Sequence, residues 1–473
     1  MPPKTRTPKK TLVLILLVIL LVLPFSLMLF WQKESPELRW DWKKIDTNEI
    51  YFPEEFLWGV ATAAHQVEGH CDNDNWSAWE TAHDESGNPR IKNGQKAGSA
   101  CDQWNRYRED ILLMQELGVK AHRFSVEWSK IEPREGEFDE AALQHYREVC
   151  EALIAAGITP MVTLHHFTHP LWFEQKGAFE KTENIALWVR FSVRVFQALH
   201  EKVNWWCTIN EPEVFASQGY FQGVFPPGKK DPQLTGVVLK NLLEAHTQVY
   251  LALKRLPGGE KAQIGLVKDI FQFDPNQRWN IFDWLVSRKL NDLFTDSILK
   301  YFQTGHFAFS IPGLVNLKHF NAEAPATLDF IGLNYYSHFR VKFQFNPKEF
   351  FTFKFLPEEI MTDMPYPIYA EGFYRALKTL AQLQKPIYVT ENGIADAKDD
   401  RRALYLQRYL YAMSQAIKDG CDVRGYFYWS LMDNFEWAEG YDMKFGLYEV
   451  DFKTQQRRLR EGAKFFVETA KRQ

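Results

Sequence analysis

The chain has 473 residues, 45% of them hydrophobic and 25% charged, enough for one large α/β barrel or two to three smaller domains with a full core. A formal net charge of −4, with no basic stretch in the folded part, excludes a nucleic-acid partner. Five cysteines (Cys71, Cys101, Cys150, Cys207 and Cys421) lack CxxC or CxxH spacing, so they carry no zinc-site signal; their odd number excludes complete intramolecular pairing, and a Cys71–Cys101 pair stays open.

In chain order, residues 1–11 form a basic tail with Lys4, Arg6, Lys9 and Lys10. Leu12 to Trp31 follows as 20 residues without a charge. As a helix this run is about 30 Å long, the thickness of a bilayer's hydrocarbon core. It ends Phe25-Ser26-Leu27-Met28-Leu29-Phe30-Trp31, without the small residues of a signal-peptidase site. The expectation is a transmembrane signal-anchor over 12–31, and a single-pass membrane protein. Lysines and arginines are equal in number on the two sides, but the basic cluster abuts the run, so the large domain is expected on the extracytoplasmic or lumenal side. Residues 32–49 read as a polar juxtamembrane linker. Asn75-Trp76-Ser77 matches a glycosylation sequon.

From residue 50 to 473, apolar strand-like runs alternate with amphipathic helical stretches. The strands are Phe56–Ala61, Lys120–Ser125, Ile158–Leu164, Val203–Ile209, Ala262–Val267, Leu328–Asn334, Ile387–Thr390 and Val423–Trp429. Helical patterns such as Trp104–Leu117, Ala141–Ala156 and Arg402–Lys418 lie between them, with Gly118, Gly157 and Gly420 placed as left-handed C-caps. Eight strand-then-helix units predict a single closed (β/α)8 TIM barrel. The open doubly wound sheet is disfavoured because no Gly-rich nucleotide loop follows an early strand. Two insertions interrupt the alternation, roughly Phe271–Val315 and His338–Tyr369. The second is rich in phenylalanine (Phe343, Phe345, Phe350, Phe351, Phe353 and Phe355), read either as packing against the barrel or as a greasy rim for an apolar leaving group or a membrane surface.

Two motifs place a glutamate at a strand tip: Thr208-Ile209-Asn210-Glu211-Pro212 after the fourth strand, and Thr390-Glu391-Asn392-Gly393 after the seventh. A lone strand-end glutamate followed by proline can simply start a helix. Two of them on one barrel rim supply the carboxyl pair of glycoside hydrolysis. In a retaining enzyme one is the nucleophile; its negative charge raises the other's pKa and keeps it protonated for the leaving group. Once the nucleophile is esterified, that charge is gone and the partner becomes a base.

From about Phe52 onward the chain resembles glycoside hydrolase family 1, the β-glucosidase family. The ordered motifs are Phe56-Leu57-Trp58-Gly59 with Ala63-Ala64-His65-Gln66-Val67-Glu68-Gly69; Arg123-Phe124-Ser125; Thr163-Leu164-His165-His166; Asn210-Glu211-Pro212; Leu333-Asn334-Tyr335-Tyr336; Thr390-Glu391-Asn392-Gly393; and Trp429 through Trp437. The resemblance implies Glu211 as acid/base and Glu391 as nucleophile. It implies Gln66, His166, Asn210, Tyr336, Trp429, Glu436 and Trp437 around the terminal sugar, with Arg123 and Asn334 supporting the catalytic pair and with Arg123 and Tyr336 hydrogen-bonding Glu391 to keep it ionised. It also implies hydrolysis of terminal β-D-glucosyl residues, with galactosides and fucosides tolerated, and no metal or organic cofactor. Substrates in view are small β-glycosides or a glycolipid presented at the membrane; oligomeric state is left open. A transglycosylase on the same site and a catalytically silent membrane-anchored glycan-binding or receptor protein are the alternatives. The chain departs from the family pattern at Phe167, at Thr168-His169 and at Glu213, where many relatives carry Trp on the leaving-group side.

Overall fold

A computed structural model describes residues 9–346 and 349–472; within its first helix the side chains of residues 9–12 and 14–21 are not described. Eight parallel strands close into a barrel. They are β1 (Leu57–Ala61), β2 (Ala121–Ser125), β3 (Thr159–His165), β4 (Trp205–Asn210), β5 (Gln263–Asp269), β6 (Phe330–Asn334), β7 (Ile387–Asn392) and β8 (Val423–Trp429). Each strand pairs with its sequence neighbours and β1 closes on β8, with Ala61 opposite Trp429. The expected TIM barrel is the observed architecture. Nearly every barrel-strand residue is buried, as expected where side chains fill the lumen on one face and helices cover the other. The three glycines named as C-caps have φ of 80°, 74° and 87°, so a left-handed residue does end each helix.

Register irregularities fall just before each catalytic candidate. On β4 the pairing with β5 shifts between Cys207 and Asn210; on β7 the pairing with β6 shifts between Val389 and Glu391. Such bulges turn a strand locally and re-aim the side chain that follows. Glu211 has a left-handed backbone (φ 45°), a conformation costing about 1–3 kcal/mol that persists where the surroundings hold it. Its N–H donates to Val267 O at 2.9 Å, which pins it to the tip of β5. Gly393 allows β7 to pass β8, since a Cβ there would stand 1.8 Å from the Trp429 carbonyl oxygen.

The two insertions meet. Gln272–Pro275, His338–Phe343 and Phe351–Lys354 make a three-stranded sheet outside the barrel, with the His338–Phe343 strand in the middle. Phe339 stacks on Phe271 at 4.8 Å and on Phe353 at 4.4 Å, so part of the phenylalanine-rich stretch is packing. Phe345 and Phe350 remain exposed.

Residues 1–8 of the basic tail, and the side chains of residues 9–12 and 14–21, lie outside the described residues. Among the described residues no helix is long and apolar enough to cross a membrane. A helix spans Lys9–Glu34, and the chain beyond it lies along the barrel. Glu37 pairs with Arg340 at 2.6 Å, and Glu371 accepts from Trp40 N–H (2.9 Å) and Trp42 Nε1–H (3.0 Å). All five cysteines are free and buried. Asn75 is no glycan acceptor in the folded chain: its buried amide donates to Phe167 O and accepts from His169 N–H, because it sits in a short helix under the rim.

Candidate active site

The sequence-selected residues all reach the C-terminal rim. Gln66 follows β1, Arg123 lies in β2, His166 follows β3, and Asn210 and Glu211 end β4. Asn334 ends β6, with Tyr336 two residues on. Glu391 lies at the end of β7 and Trp429 at the end of β8, followed by the loop carrying Glu436 and Trp437. Distant segments therefore converge only because the barrel closes.

A hydrogen-bond network joins them. Arg123 lies across the lumen: its Nη1 donates to Glu391 Oε1 at 2.6 Å and its Nη2 to Asn210 Oδ1 at 2.6 Å, while Nε is held by Thr163 Oγ1 at 3.0 Å. Tyr336 OH donates to Glu391 Oε2 at 2.7 Å. Asn334 Nδ2 donates to Glu211 Oε1 at 2.6 Å and to Asn210 Oδ1 at 3.2 Å. Thr390 Oγ1 donates to Asn334 Oδ1 at 2.8 Å, which fixes the orientation of that amide. A path of five residues thus runs from Glu211 through Asn334, Asn210 and Arg123 to Glu391.

The two carboxyl groups differ in electrostatics. Glu391 is pushed up by burial, but the Arg123 guanidinium and the Tyr336 hydroxyl pull it back toward the ionised form. Glu211 is held well above the usual carboxylate range by burial, then by the neighbouring Asp269 and Glu391 carboxyls; the Asn334 amide opposes this only in part. No ion pair to Glu211 is present among the described residues. One carboxyl has donors that favour its anion and the other is pushed more strongly toward its protonated form, the asymmetry that a nucleophile and an acid would need.

Around the pair, buried polar atoms lack protein partners. Gln66 donates to Glu436 Oε2 at 3.2 Å, to Asn434 Oδ1 at 3.1 Å and to Phe435 O at 2.8 Å, which leaves its Oε1 unpaired. His166 Nε2 meets Asn210 Nδ2 at 3.2 Å and its Nδ1 is unpaired. Burial, with Arg123 and then His165 adding to it, holds His166 well below its usual pKa and keeps it neutral, so Nε2 accepts and Nδ1–H is free to donate. Glu436 is pushed up to about 8 by burial and by Glu391. An unpaired buried polar group costs about 1–3 kcal/mol, which a hydroxyl-rich ligand would recover. Trp429 and Trp437 frame His166, with ring centroids at 5.8 and 6.0 Å.

Sequence reasoning missed Lys268, Asp269 and the consequences of Glu213. Lys268 Nζ and the Asp269 N–H both donate to Glu213 Oε1, at 2.9 and 2.7 Å. Glu213, a departure from the family pattern, is thus held in a buried ion pair with Lys268. Asp269 is pushed well above the carboxylate range by burial, with Lys268 opposing, and its Oδ1 has no partner. The signal was present: a Lys-Asp dipeptide directly after the apolar run of β5 is a charged pair at a strand tip. His65 is a second omission. Its imidazole bridges Asp74 and Glu80, both at 2.9 Å, and stacks on Trp437 at 6.0 Å, supporting that indole from beneath.

The family model Glycosyl hydrolase family 1 matches residues 48–473. Beta-glucosidase A of Thermotoga maritima is 34% identical over 452 residues, covering 89% of this chain and 98% of that protein. A 1,4-beta-D-glucan glucohydrolase of Thermotoga neapolitana is 32% identical over 449 residues, with 89% and 98% covered. Among solved structures, a beta-glycosidase from Pyrococcus horikoshii superposes with a TM-score of 0.80 at 38% identity, covering 89% of this chain and 95% of that one. The Thermotoga maritima beta-glucosidase in complex with glucoimidazole gives 0.81 at 31%, with 89% and 98% covered.

Proposed function

We propose, from the premise that this chain belongs to glycosyl hydrolase family 1 and is an O-glycosyl hydrolase, that it is a retaining β-glycosidase acting on terminal β-D-glucosyl residues. Glu391 is the nucleophile and Glu211 the acid/base. In the first step a Glu391 carboxylate oxygen attacks the anomeric carbon, the bond to the leaving oxygen breaks, and that oxygen takes the Glu211 proton. The glycosyl ester removes the negative charge on Glu391, so Glu211 falls in pKa and serves as base. Water then gives its proton to Glu211, its oxygen attacks the anomeric carbon, and the ester bond breaks to restore Glu391.

The observation that carries this reading is the asymmetric bracing of the two carboxyls, Arg123 and Tyr336 on Glu391 against, among the described residues, Asn334 alone on Glu211. The unpaired atoms of Gln66 and His166 support a hydroxylated ligand beside it. Asn210 is assigned to the sugar's 2-hydroxyl, a contact that strengthens in the transition state. The test is NMR of the first-formed product from an aryl β-D-glucoside. A β-configured glucose is expected, and an α-configured one would overturn the assignment. A Glu391→Ala protein as active as the parent would overturn the nucleophile.

For the N-terminus our reading is a signal-anchor over 12–31 with the barrel outside the cytoplasm. Its support is the uncharged run and the family match beginning only at residue 48. Resistance of the full chain to alkaline carbonate extraction tests it; release into the supernatant would remove it.

A further inference from the structure

We propose that the barrel docks onto a bilayer through an aromatic face formed by the helix Ile281–Asn291, the residue pair Arg278–Trp279 before it and the Phe343–Phe345 turn, with lipid as its partner. The proposal rests on the anchor reading above and deepens it: an anchor alone is a tether, whereas a docked face fixes how the active-site rim lies on the membrane.

The face is exposed, and three of its phenylalanines are in ring contact. Trp279 is 64% exposed, Leu285 50% and Phe345 86%. The Phe282 ring lies 5.1 Å from Phe343 and 5.6 Å from Phe345, so these side chains form one patch rather than scattered residues. A contiguous exposed apolar patch marks a contact surface. What covers it is indicated by the segment that ends there. Phe25 stacks on Trp279 at 6.1 Å and Trp31 packs on Trp284 at 6.0 Å. These two belong to the charge-free 12–31 run, and Val22, Leu23, Leu29 and Phe30 continue the exposed apolar surface along it. A helix that is apolar on every side is satisfied by lipid, not by water or by one groove of a protein partner. Arg278 and Arg288 border the patch, with Arg288 lying 5.3 Å from the Trp31 ring centre. Tryptophan and arginine together suit the headgroup layer.

The junction does not swivel freely. Gln32 Nε2 donates to Arg278 O at 2.8 Å, and Arg278 Nη2 donates to Ser35 O at 2.7 Å. The Glu37–Arg340 and Trp40/Trp42–Glu371 contacts then hold the following residues on the barrel. Entry of the helix into a bilayer therefore brings this face down with it. The face is also tied to the catalytic rim, because both of its segments are insertions following β5 and β6. An aromatic path leads inward from Phe339 to Phe271 (4.8 Å), Tyr366 (5.5 Å) and Tyr336 (6.4 Å), which donates to Glu391. A β-glycoside whose leaving group stays in the bilayer is the substrate class this placement serves.

The test uses the full chain in phosphatidylcholine–phosphatidylglycerol vesicles, with an environment-sensitive fluorophore on Leu285→Cys, on Phe345→Cys and on the control Leu112→Cys. Leu112 is 59% exposed on the helix Gln103–Leu117, between β1 and β2 and so across the barrel. The native cysteines are buried, which makes labelling selective. Aryl-glucoside turnover confirms that each variant is folded. Quenching by lipids carrying a nitroxide near the headgroup is expected to be at least about threefold stronger at 285 and 345 than at 112, with the order reversed for aqueous iodide. Vesicle flotation with all three positions behaving alike would overturn docking while leaving the anchor intact. Absence of flotation would refute the anchor and docking together. Energy transfer between copies at 285 without lipid quenching would assign the face to a protein partner instead and overturn the proposal.

Discussion

Replacing Tyr336 by Phe removes one hydroxyl and leaves the ring, which packs near Phe445 (centroids 5.9 Å) and Tyr366. The lost contact is the 2.7 Å donation to Glu391 Oε2. Hydrogen bonds to charged groups contribute about 1.5–3 kcal/mol, or roughly 10- to 150-fold in rate where the interaction matters in the transition state. The sign on pH follows from the same bond. It stabilises the ionised nucleophile, so its loss raises the pKa of Glu391. The acidic limb of kcat/KM then moves to higher pH, while the alkaline limb, set by the Glu211 proton, moves little. The assay is kcat/KM for p-nitrophenyl β-D-glucoside across pH 4–9, with thermal unfolding followed in parallel because ring packing is retained. An acidic limb unchanged in position, with activity within about twofold of the parent, would refute the idea that Tyr336 braces the nucleophile.

Further outcomes follow from other contacts. Arg123→Met should lower stability by about 3–5 kcal/mol and nearly abolish turnover, because it strands the buried Glu391 carboxylate; denaturant unfolding and aryl-glucoside kinetics check the two parts. Glu211→Ala should slow phenyl β-glucoside far more than 2,4-dinitrophenyl β-glucoside, whose leaving group needs no proton, and added azide should yield β-glucosyl azide; equal losses on both substrates would argue against the acid role. In the parent, kcat/KM should fall as pH rises through the elevated pKa of Glu211, and the fall should vanish for the dinitrophenyl substrate. Asp274, clamped by Arg375 at 3.0 Å and His338 at 2.8 Å, is held far below the usual carboxylate range. Its stabilisation is fully present above the unfolded-state value of about 3.9 and is lost as pH falls from there toward the depressed folded value, so the denaturation midpoint should drop as pH is lowered below about 4, and do so less in Asp274→Asn.

The barrel was legible in the sequence because its determinants are local. Each of the eight strands is a short apolar run, and Gly118, Gly157 and Gly420 mark helix ends by a backbone conformation that glycine adopts without strain. Glu211 and Glu391 were legible for a related reason: each follows its strand directly, and a strand tip in a parallel barrel has only one rim to reach. The placement of both carboxyls on one rim was therefore contained in the order of residues.

The bracing of Glu391 was implied by the family resemblance and not by spacing along the chain; its geometry, Arg123 of β2 meeting Glu391 of β7 across the lumen, exists only in the tertiary structure. Tertiary structure likewise decided that Glu213 turns to Lys268, that Asp269 stands beside Glu211, and that Asn75 is buried. It also laid residues 35–42 along the barrel, where the sequence showed only a polar linker. These outcomes rest on pairings between residues far apart in the chain and on loss of water around them. Neither the partner of a charge nor the local dielectric is encoded by spacing along the chain; both appear only once the barrel has closed.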